Sequence, residues 1–348
     1  MFPEPILAVK RCRWFSVQVR GVIMYKNRLQ NLCNLYNLSS FPLHSRVHRM
    51  QEEPLYVKRE DELGFGVSGS KLRKYVSILP VLKKDNKRVA IVGSLNSNHV
   101  LSLLQLVKQE GIGYQLFLER PNESDLKGNA FFLSLLIKKH EVLWVEKVPD
   151  LLDNEWKAGW EKKLDETFFW ISMGGCMKEA LMGSLTLPLD LLQNEEDLEL
   201  SFRHVFIDSG TGMSAIGLIL GLAYLRKNIK IHVVLVAGKE VEFSEKLTFF
   251  HNHLQKLLQE SFSIDSYRCL FPVTAKSFGS HNASIFKEIK ETAEKEGFFL
   301  DPIYSAKLLL TTKKMVKEEG LDGNILWIHS GGALSLSGFQ SVSYFRKD

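Results

Sequence analysis

An α/β fold with parallel-rich sheets flanked by helices is predicted for this chain of 348 residues by two observations. Short runs rich in β-branched and aromatic residues alternate with amphipathic stretches, the pattern of parallel strands joined by crossover helices. Several of those runs lead straight into loops of glycine, serine and asparagine, and sites in parallel sheets gather at the carboxyl ends of strands. The length favours two domains over one.

In chain order, strands are predicted at Leu55–Arg59, Arg88–Val92, Gln115–Leu118, Val142–Val145, His204–Ile207, Lys230–Val236 and Ile325–Ile328. Between them, His99–Lys108, Leu126–Lys139, Ser214–Arg226, Val241–Leu258, Ala283–Glu296 and Ser305–Lys317 carry apolar residues at helical spacing. Gln193–Glu199 is acidic and has no apolar period, which predicts a solvated passage between domains. Phe131, Phe132, Phe298 and Phe299 read as core.

Composition excludes several classes. With 45% hydrophobic and 24% charged residues the chain is neither disordered nor collagen-like. Its longest apolar run, Ala215–Leu225, falls short of the roughly 20 residues of a membrane span, so no membrane segment is expected. Cys12, Cys33, Cys176 and Cys269 lie far apart without a CxxC pair, which predicts neither a zinc site nor a disulfide framework and favours the cytoplasm. His251 and His253, two apart on a helix, point to different sides, and no metal is expected. The net charge of +5 is concentrated in residues 1–23, where Lys10, Arg11, Arg13 and Arg20 face only Glu4. The near-neutral remainder argues against a nucleic-acid groove. The basic front lacks the apolar region and cleavage site of a secretory signal. A start at Met24, with the upstream residues an over-extension, is preferred to a structured N-terminal arm.

The chemistry-bearing loops leave alternatives open. Gly64, Gly66 and Gly69 form a GxGxxG, but the next strand runs into Gly93-Ser94 with no acid to hold a ribose, which disfavours a nicotinamide oxidoreductase. The order Gly69-Ser70-Lys71 is not that of a P-loop. Lys71 is either an ordinary surface lysine or a nucleophile toward a carbonyl cofactor, activated by burial or by Lys74. Gly210, Thr211, Gly212, Met213 and Ser214 lie between a strand and a helix, as a phosphate cup or a tight turn. A nucleophile elbow is excluded, because the second glycine of GxSxG is missing. Two further loops, Gly93–His99 and His329–Gly332, follow strands. There Asn98 can bond a phenolic oxygen, Ser97 a carboxylate and Ser330 a ring nitrogen, or each can cap a helix. No Ser-His-Asp set can be assembled.

The runs Lys58-Arg59-Glu60-Asp61, Gly69-Ser70-Lys71-Leu72-Arg73-Lys74, Ser97-Asn98-His99, Ser209-Gly210-Thr211-Gly212, Asp301-Pro302-Ile303-Tyr304 and His329-Ser330-Gly331-Gly332-Ala333 occur in one order. From about Pro54 to Leu336 the chain thereby resembles the 1-aminocyclopropane-1-carboxylate deaminase / D-cysteine desulfhydrase family. The resemblance implies a two-domain tryptophan synthase β-like fold, pyridoxal 5'-phosphate as cofactor, a small amino-acid substrate and a homodimer. It implies that Lys71 forms the Schiff base, that Asn98 faces the ring oxygen, that Gly210 to Ser214 hold the phosphate and that Ser330 bonds the pyridine nitrogen. Ser97 would meet the substrate carboxylate, with Asn98 and His99 beside it, and Tyr304 would act as acid/base or orienting group. The division implied is an N-terminal extension over 1–40, a larger domain from 41–73 and 184–348, and a smaller inserted domain over 74–183.

Two positions divide the family's branches. Ring-opening deaminases are alike in a Glu after the Tyr304-equivalent and a Leu at the Ser330-equivalent, whereas this chain has Ser305 and Ser330, like the desulfhydrases. A hydroxyl at the pyridine nitrogen favours an unprotonated ring, a weaker electron sink suited to β-elimination. The implied reaction is D-cysteine to pyruvate, sulfide and ammonia; ring opening, or cofactor binding with weak or no turnover, are the alternatives. Ser70, Asn96 and Leu101 depart from the Asn, Gln and Arg usual in the family.

Overall fold

The computed structural model describes residues 23–35, 41–120, 127–148, 153–264 and 267–339. The readings of the basic front therefore lie, up to residue 22, outside the described residues. A helix over residues 23–34 (α1) packs Tyr25, Leu29 and Cys33, spaced four apart, against the core.

Ten strands among the described residues form two sheets. The larger has the order β1 (Val47–Arg49), β2 (Leu55–Lys58), β10 (Asn324–Ile328), β7 (Phe202–Ser209), β8 (Lys230–Leu235) and β9 (Tyr267–Leu270), with β1 antiparallel and the other pairs parallel. The smaller, all parallel, runs β5 (Val142–Val145), β4 (Tyr114–Glu119), β3 (Arg88–Gly93) and β6 (Phe168–Ile171). In each sheet the direction of strand addition reverses once. From β7 the chain builds outward through β8 and β9, then returns to place β10 on the other side; from β3 it builds through β4 and β5, then returns for β6. A reversal leaves a crevice at the strand ends, and here the crevices receive the loops after β3, β7 and β10.

The helices are α2 (Lys71–Asp85), α3 (Asn98–Gln109), α4 (Asn129–Leu136), α5 (Asn154–Leu164), α6 (Leu181–Ser184), α7 (Thr186–Asp197), α8 (Met213–Tyr224), α9 (Glu240–Leu258), α10 (Ala283–Glu296) and α11 (Ser305–Glu319). Strand alternation sends residues to opposite layers: Val205, Ile207, Val233 and Ile328 join a central core with Ile91 and Leu116 of the smaller sheet, while Phe206, Val234 and Trp327 pack toward α10 and α11. Phe117, Phe168, Trp156, Trp160 and Trp170 form a third cluster under α5, with edge-to-face ring pairs. Because α8 touches α2, α6, α7, α9 and β7, it is apolar on nearly every side, and each fully buried Leu or Ile contributes about 1.5–3 kcal/mol. No helix among the described residues is long and apolar enough to cross a membrane.

Two expectations are corrected. Gln193–Glu199 is no passage between domains: α7 runs through Asp197, and Asn194 and Glu195 are buried. The Asn194 side chain donates to Ser45 O and accepts from Lys58 Nζ, while Glu195 accepts from the Phe202 N–H and pairs with Lys227, so distant partners hold this charged run in helical form. Phe131 and Phe299 are not core; they are 53% and 61% exposed, whereas Phe298 is buried beneath the Arg59 guanidinium.

One turn earlier in α7, Asp190 closes a buried ionic cluster. Asp190 Oδ2 accepts from Lys58 Nζ and from Arg73 at 2.6 Å each, and Glu60 takes two further hydrogen bonds from the Arg73 guanidinium. Lys58, Glu60 and Arg73 have no appreciable exposure. Burial alone would raise the pKa of Asp190, but Arg73 and Lys58 outweigh it and hold the carboxyl below its ordinary range.

Candidate active site

Lys71 opens α2, directly after a turn that brings two loops into contact. Gly69 has φ +55°, and a Cβ on it would lie 2.2 Å from the carbonyl oxygen of Ser330, which also accepts the Ser70 N–H at 3.0 Å. Only glycine allows that approach. Gly69→Ala is expected to cost roughly 2 kcal/mol or more, from left-handed backbone and the collision with Ser330, and to loosen the Ser330 loop. Thermal unfolding checks this; an unchanged midpoint would contradict the packing described.

Tyr304, at the mouth of α11, faces the lysine across this turn. Lys71 Nζ stands 5.8 Å from the Tyr304 ring centroid, and a Cβ on Gly210 would meet that ring at 3.2 Å. Asp301 fixes the tyrosine: its Oδ1 accepts the Ile303 and Tyr304 N–H groups, and its Oδ2 accepts from the N–H and hydroxyl of Ser305. The Ser305 hydroxyl is thus committed to Asp301. His329 is buried and structural, its Nε2 bonded to Phe299 O and its Nδ1 accepting the Gly331 N–H.

Gly210 to Ser214 join β7 to α8. Gly212 caps α8 in the left-handed region and no side chain caps the helix, so its first N–H groups face the loop unsatisfied by side chains, with the half-buried Thr211 and Ser214 beside them. A basic group stands close, which the sequence reading of this cup did not include. Lys74 Nζ donates to Gly174 O at 2.6 Å, and a Cβ on Gly174 would come within 2.5 Å of Thr211 Oγ1. Burial and the neighbouring Lys71 push the Lys74 ammonium down to about 7.

Ser97 caps α3, its Oγ accepting the His99 and Val100 N–H groups at 3.2 and 3.4 Å. Asn98 reaches the centre: its Oδ1 accepts from Asn129 Nδ2 at 2.6 Å, and its Nδ2 would lie 3.1 Å from a Cβ on Gly332, which also borders Asp301. Asn129 was invisible to sequence reasoning, for its role lies in contacts across the chain, with Asn98 and with the Asn96 carbonyl, to which it also donates at 3.0 Å. Asn129→Leu is expected to release the Asn98 amide and weaken cofactor retention several-fold, measurable by equilibrium titration; unchanged affinity would argue against this positioning role. The His99 ring turns inward, with Nδ1 2.6 Å from Tyr75 Oη, and burial next to Lys74 and Lys71 pushes its pKa down to about 3.

Lys71, Tyr304, Gly210, Ser330 and Asn98 are thereby brought together, with Thr211 linked through Gly174 and Ser97 at the adjoining helix start. Burial lowers the pKa of the Lys71 ammonium, partly offset by Asp208 and Asp301, which favours a neutral, nucleophilic amine. A half-buried, desolvated amine beside an uncapped, glycine-rich helix start and a second cation suits a carbonyl compound bearing a phosphate.

The profile of the family described as "Pyridoxal-phosphate dependent enzyme" matches residues 40–331. A putative 1-aminocyclopropane-1-carboxylate deaminase of Pyrococcus furiosus is 26% identical over 295 residues, 82% of this chain and 87% of the relative. A D-cysteine desulfhydrase of Serratia proteamaculans is 26% identical over 311 residues, covering 84% and 90%. Among solved structures, an ACC deaminase homologue superposes with a TM-score of 0.74 at 22% identity, over 88% of this chain and 95% of that one.

Proposed function

This chain belongs to the pyridoxal-phosphate-dependent enzymes, and from that premise we propose that it catalyses β-elimination on a small amino acid, D-cysteine foremost, yielding pyruvate, sulfide and ammonia with uptake of one water. Pyridoxal 5'-phosphate, its cofactor, supplies when bound an electron sink for the charge left when a bond to the substrate's α-carbon breaks. The residues present fit it: Lys71 for attachment, the Gly210–Ser214 cup and Lys74 for the phosphate, Asn98 for the ring oxygen and Ser330 for the ring nitrogen.

The observation that carries the reading is the placement of the Lys71 amine against the Tyr304 ring. The half-buried amine, its pKa lowered by desolvation, can take the α-proton in its neutral form. Burial, with Asp301 and Asp208 nearby, keeps the Tyr304 phenol protonated, so it is suited to donating a proton or a hydrogen bond at a departing group. Ser97 and the start of α3 offer a hydroxyl and N–H groups to a substrate carboxylate. His99, turned toward Tyr75, would serve by shaping that helix start. The division into 41–73 with 184–348 and 74–183, a homodimer and a cytoplasmic location belong to the same proposal.

Incubation with D-cysteine is expected to release sulfide and pyruvate in equal amounts. Formation of 2-oxobutanoate from 1-aminocyclopropane-1-carboxylate, with no sulfide from D-cysteine, would replace elimination by ring opening. Absence of turnover with either would overturn the substrate assignment.

A further inference from the structure

One carboxylate at the site is used by none of these roles. Asp208 is the penultimate residue of β7, two positions before the phosphate cup. The parallel register pairs Trp327 of β10 with Phe206, which carries His329 and Ser330 alongside Asp208 and Ser209 where the strands end. The Ser330 hydroxyl faces the Asp208 carboxylate. One of its oxygens, Oδ1, is fully buried without a hydrogen-bond partner, while the residue as a whole is half-buried. A buried oxygen lacking a donor is destabilising, and such a cost persists where a bound group or a function offsets it.

We propose that Asp208, acting beside Ser330, is the acid that keeps the cofactor's ring nitrogen protonated, so that this site holds a stronger electron sink than its serine alone would give. The proposal rests on the placement of Ser330 at that nitrogen. The proton balance is simple: a proton on the Asp208 carboxyl passes to the nitrogen, directly or through the Ser330 hydroxyl, leaving a carboxylate opposite a pyridinium. Burial, with Asp301 nearby, shifts Asp208 toward its protonated form relative to an ordinary aspartate, against the opposing pull of Ser330, Lys71 and His329. Tyr304 and Lys74 also feel its charge. A site so equipped extends the substrate class from β-substituted amino acids with good leaving groups to those with poor ones.

The test is the nitrogen-15 resonance of ring-labelled pyridoxal phosphate bound to the full chain, for the wild type, Asp208→Asn, Asp208→Ala and Ser330→Ala, each checked for folding by thermal unfolding. The expected result is a protonated-nitrogen signal in the wild type that moves to the neutral position in both Asp208 variants. An unprotonated wild-type nitrogen that still responds to Ser330→Ala would overturn the role of Asp208 and leave Ser330 in place. A nitrogen signal insensitive to Asp208, combined with a shifted pH for lysine attachment, would make Asp208 the counter-ion of Lys71 instead. Insensitivity to Ser330→Ala as well would remove the placement on which the proposal rests.

Discussion

Lys71→Ala is expected to abolish the visible absorbance band that pyridoxal phosphate develops on the wild-type protein, and to lower turnover by roughly a thousandfold or more. The size follows from two losses at one position, the attachment point and the group that moves the α-proton. Burial that favours a neutral amine and a tyrosine ring 5.8 Å away describe a residue prepared for both. The sharpest competitor is internal. Lys74 lies three positions on in the same helix, is buried, and is pushed down to about 7, so its amine is also available near neutrality. Its Nζ is held by Gly174 O, whereas no hydrogen bond or ion pair holds Lys71 Nζ among the described residues. Spectra of Lys71→Ala and Lys74→Ala therefore separate the two. Retention of the band in Lys71→Ala and its loss in Lys74→Ala would transfer the attachment to Lys74. The expected outcome for Lys74→Ala is a band that survives at saturating cofactor with weaker affinity, because the ammonium facing the phosphate cup is gone.

How far the site was legible in the sequence depends on whether a residue's role is local. Loops that follow β3, β7 and β10 could be read because each strand end is marked by glycine and small polar residues, and the two strand-order reversals place all three at crevices. Lys71 could be read as a candidate because Gly69 and Ser70 precede it at a helix start. Asp208, Asn129 and Lys74 could not be assigned, since their meaning lies in contacts with Ser330, Asn98 and the Gly174 turn, made across 122, 31 and 100 positions of chain. The full span of α2 was obscured by Pro80, which interrupts the helical pattern although the helix continues to Asp85. β6 and β9 went unread because Phe168-Phe169-Trp170-Ile171 is a continuous apolar run without alternation and Tyr267-Arg268-Cys269-Leu270 mixes polar and apolar residues too briefly to show a strand period. The acidic end of α7 failed for the opposite reason: its local signal was clear, and buried partners in β2 and at Ser45 and Phe202 overrode it.

The second large effect is expected at that buried cluster. Arg73→Met leaves Glu60 and Asp190 buried without their guanidinium and should destabilise the protein by about 3–5 kcal/mol, measured by denaturant unfolding. Combining it with Glu60→Leu should recover part of the loss, because replacing both ends of a buried pair removes the stranded charge; a double variant worse than the single one would show that the polar network itself is required. The pH dependence has a definite sign. Asp190 is more acidic in the fold than in the unfolded chain, so its contribution is present in full above the ordinary aspartate range and is lost as pH falls through its lowered native value. Arg73→Met should therefore flatten the acid limb of stability against pH as well as lower the plateau. The cluster also bears on chemistry through geometry: Arg73 is two residues from Lys71 in the first turn of α2, and its guanidinium ties that turn to Glu60, just past β2, and to Asp190 of α7, which Lys58 of β2 also joins. A helix start released from this anchor moves the Lys71 amine relative to Tyr304. The double variant, even where its stability recovers, should keep a reduced kcat with a smaller change in KM, a split that lost stability alone does not produce.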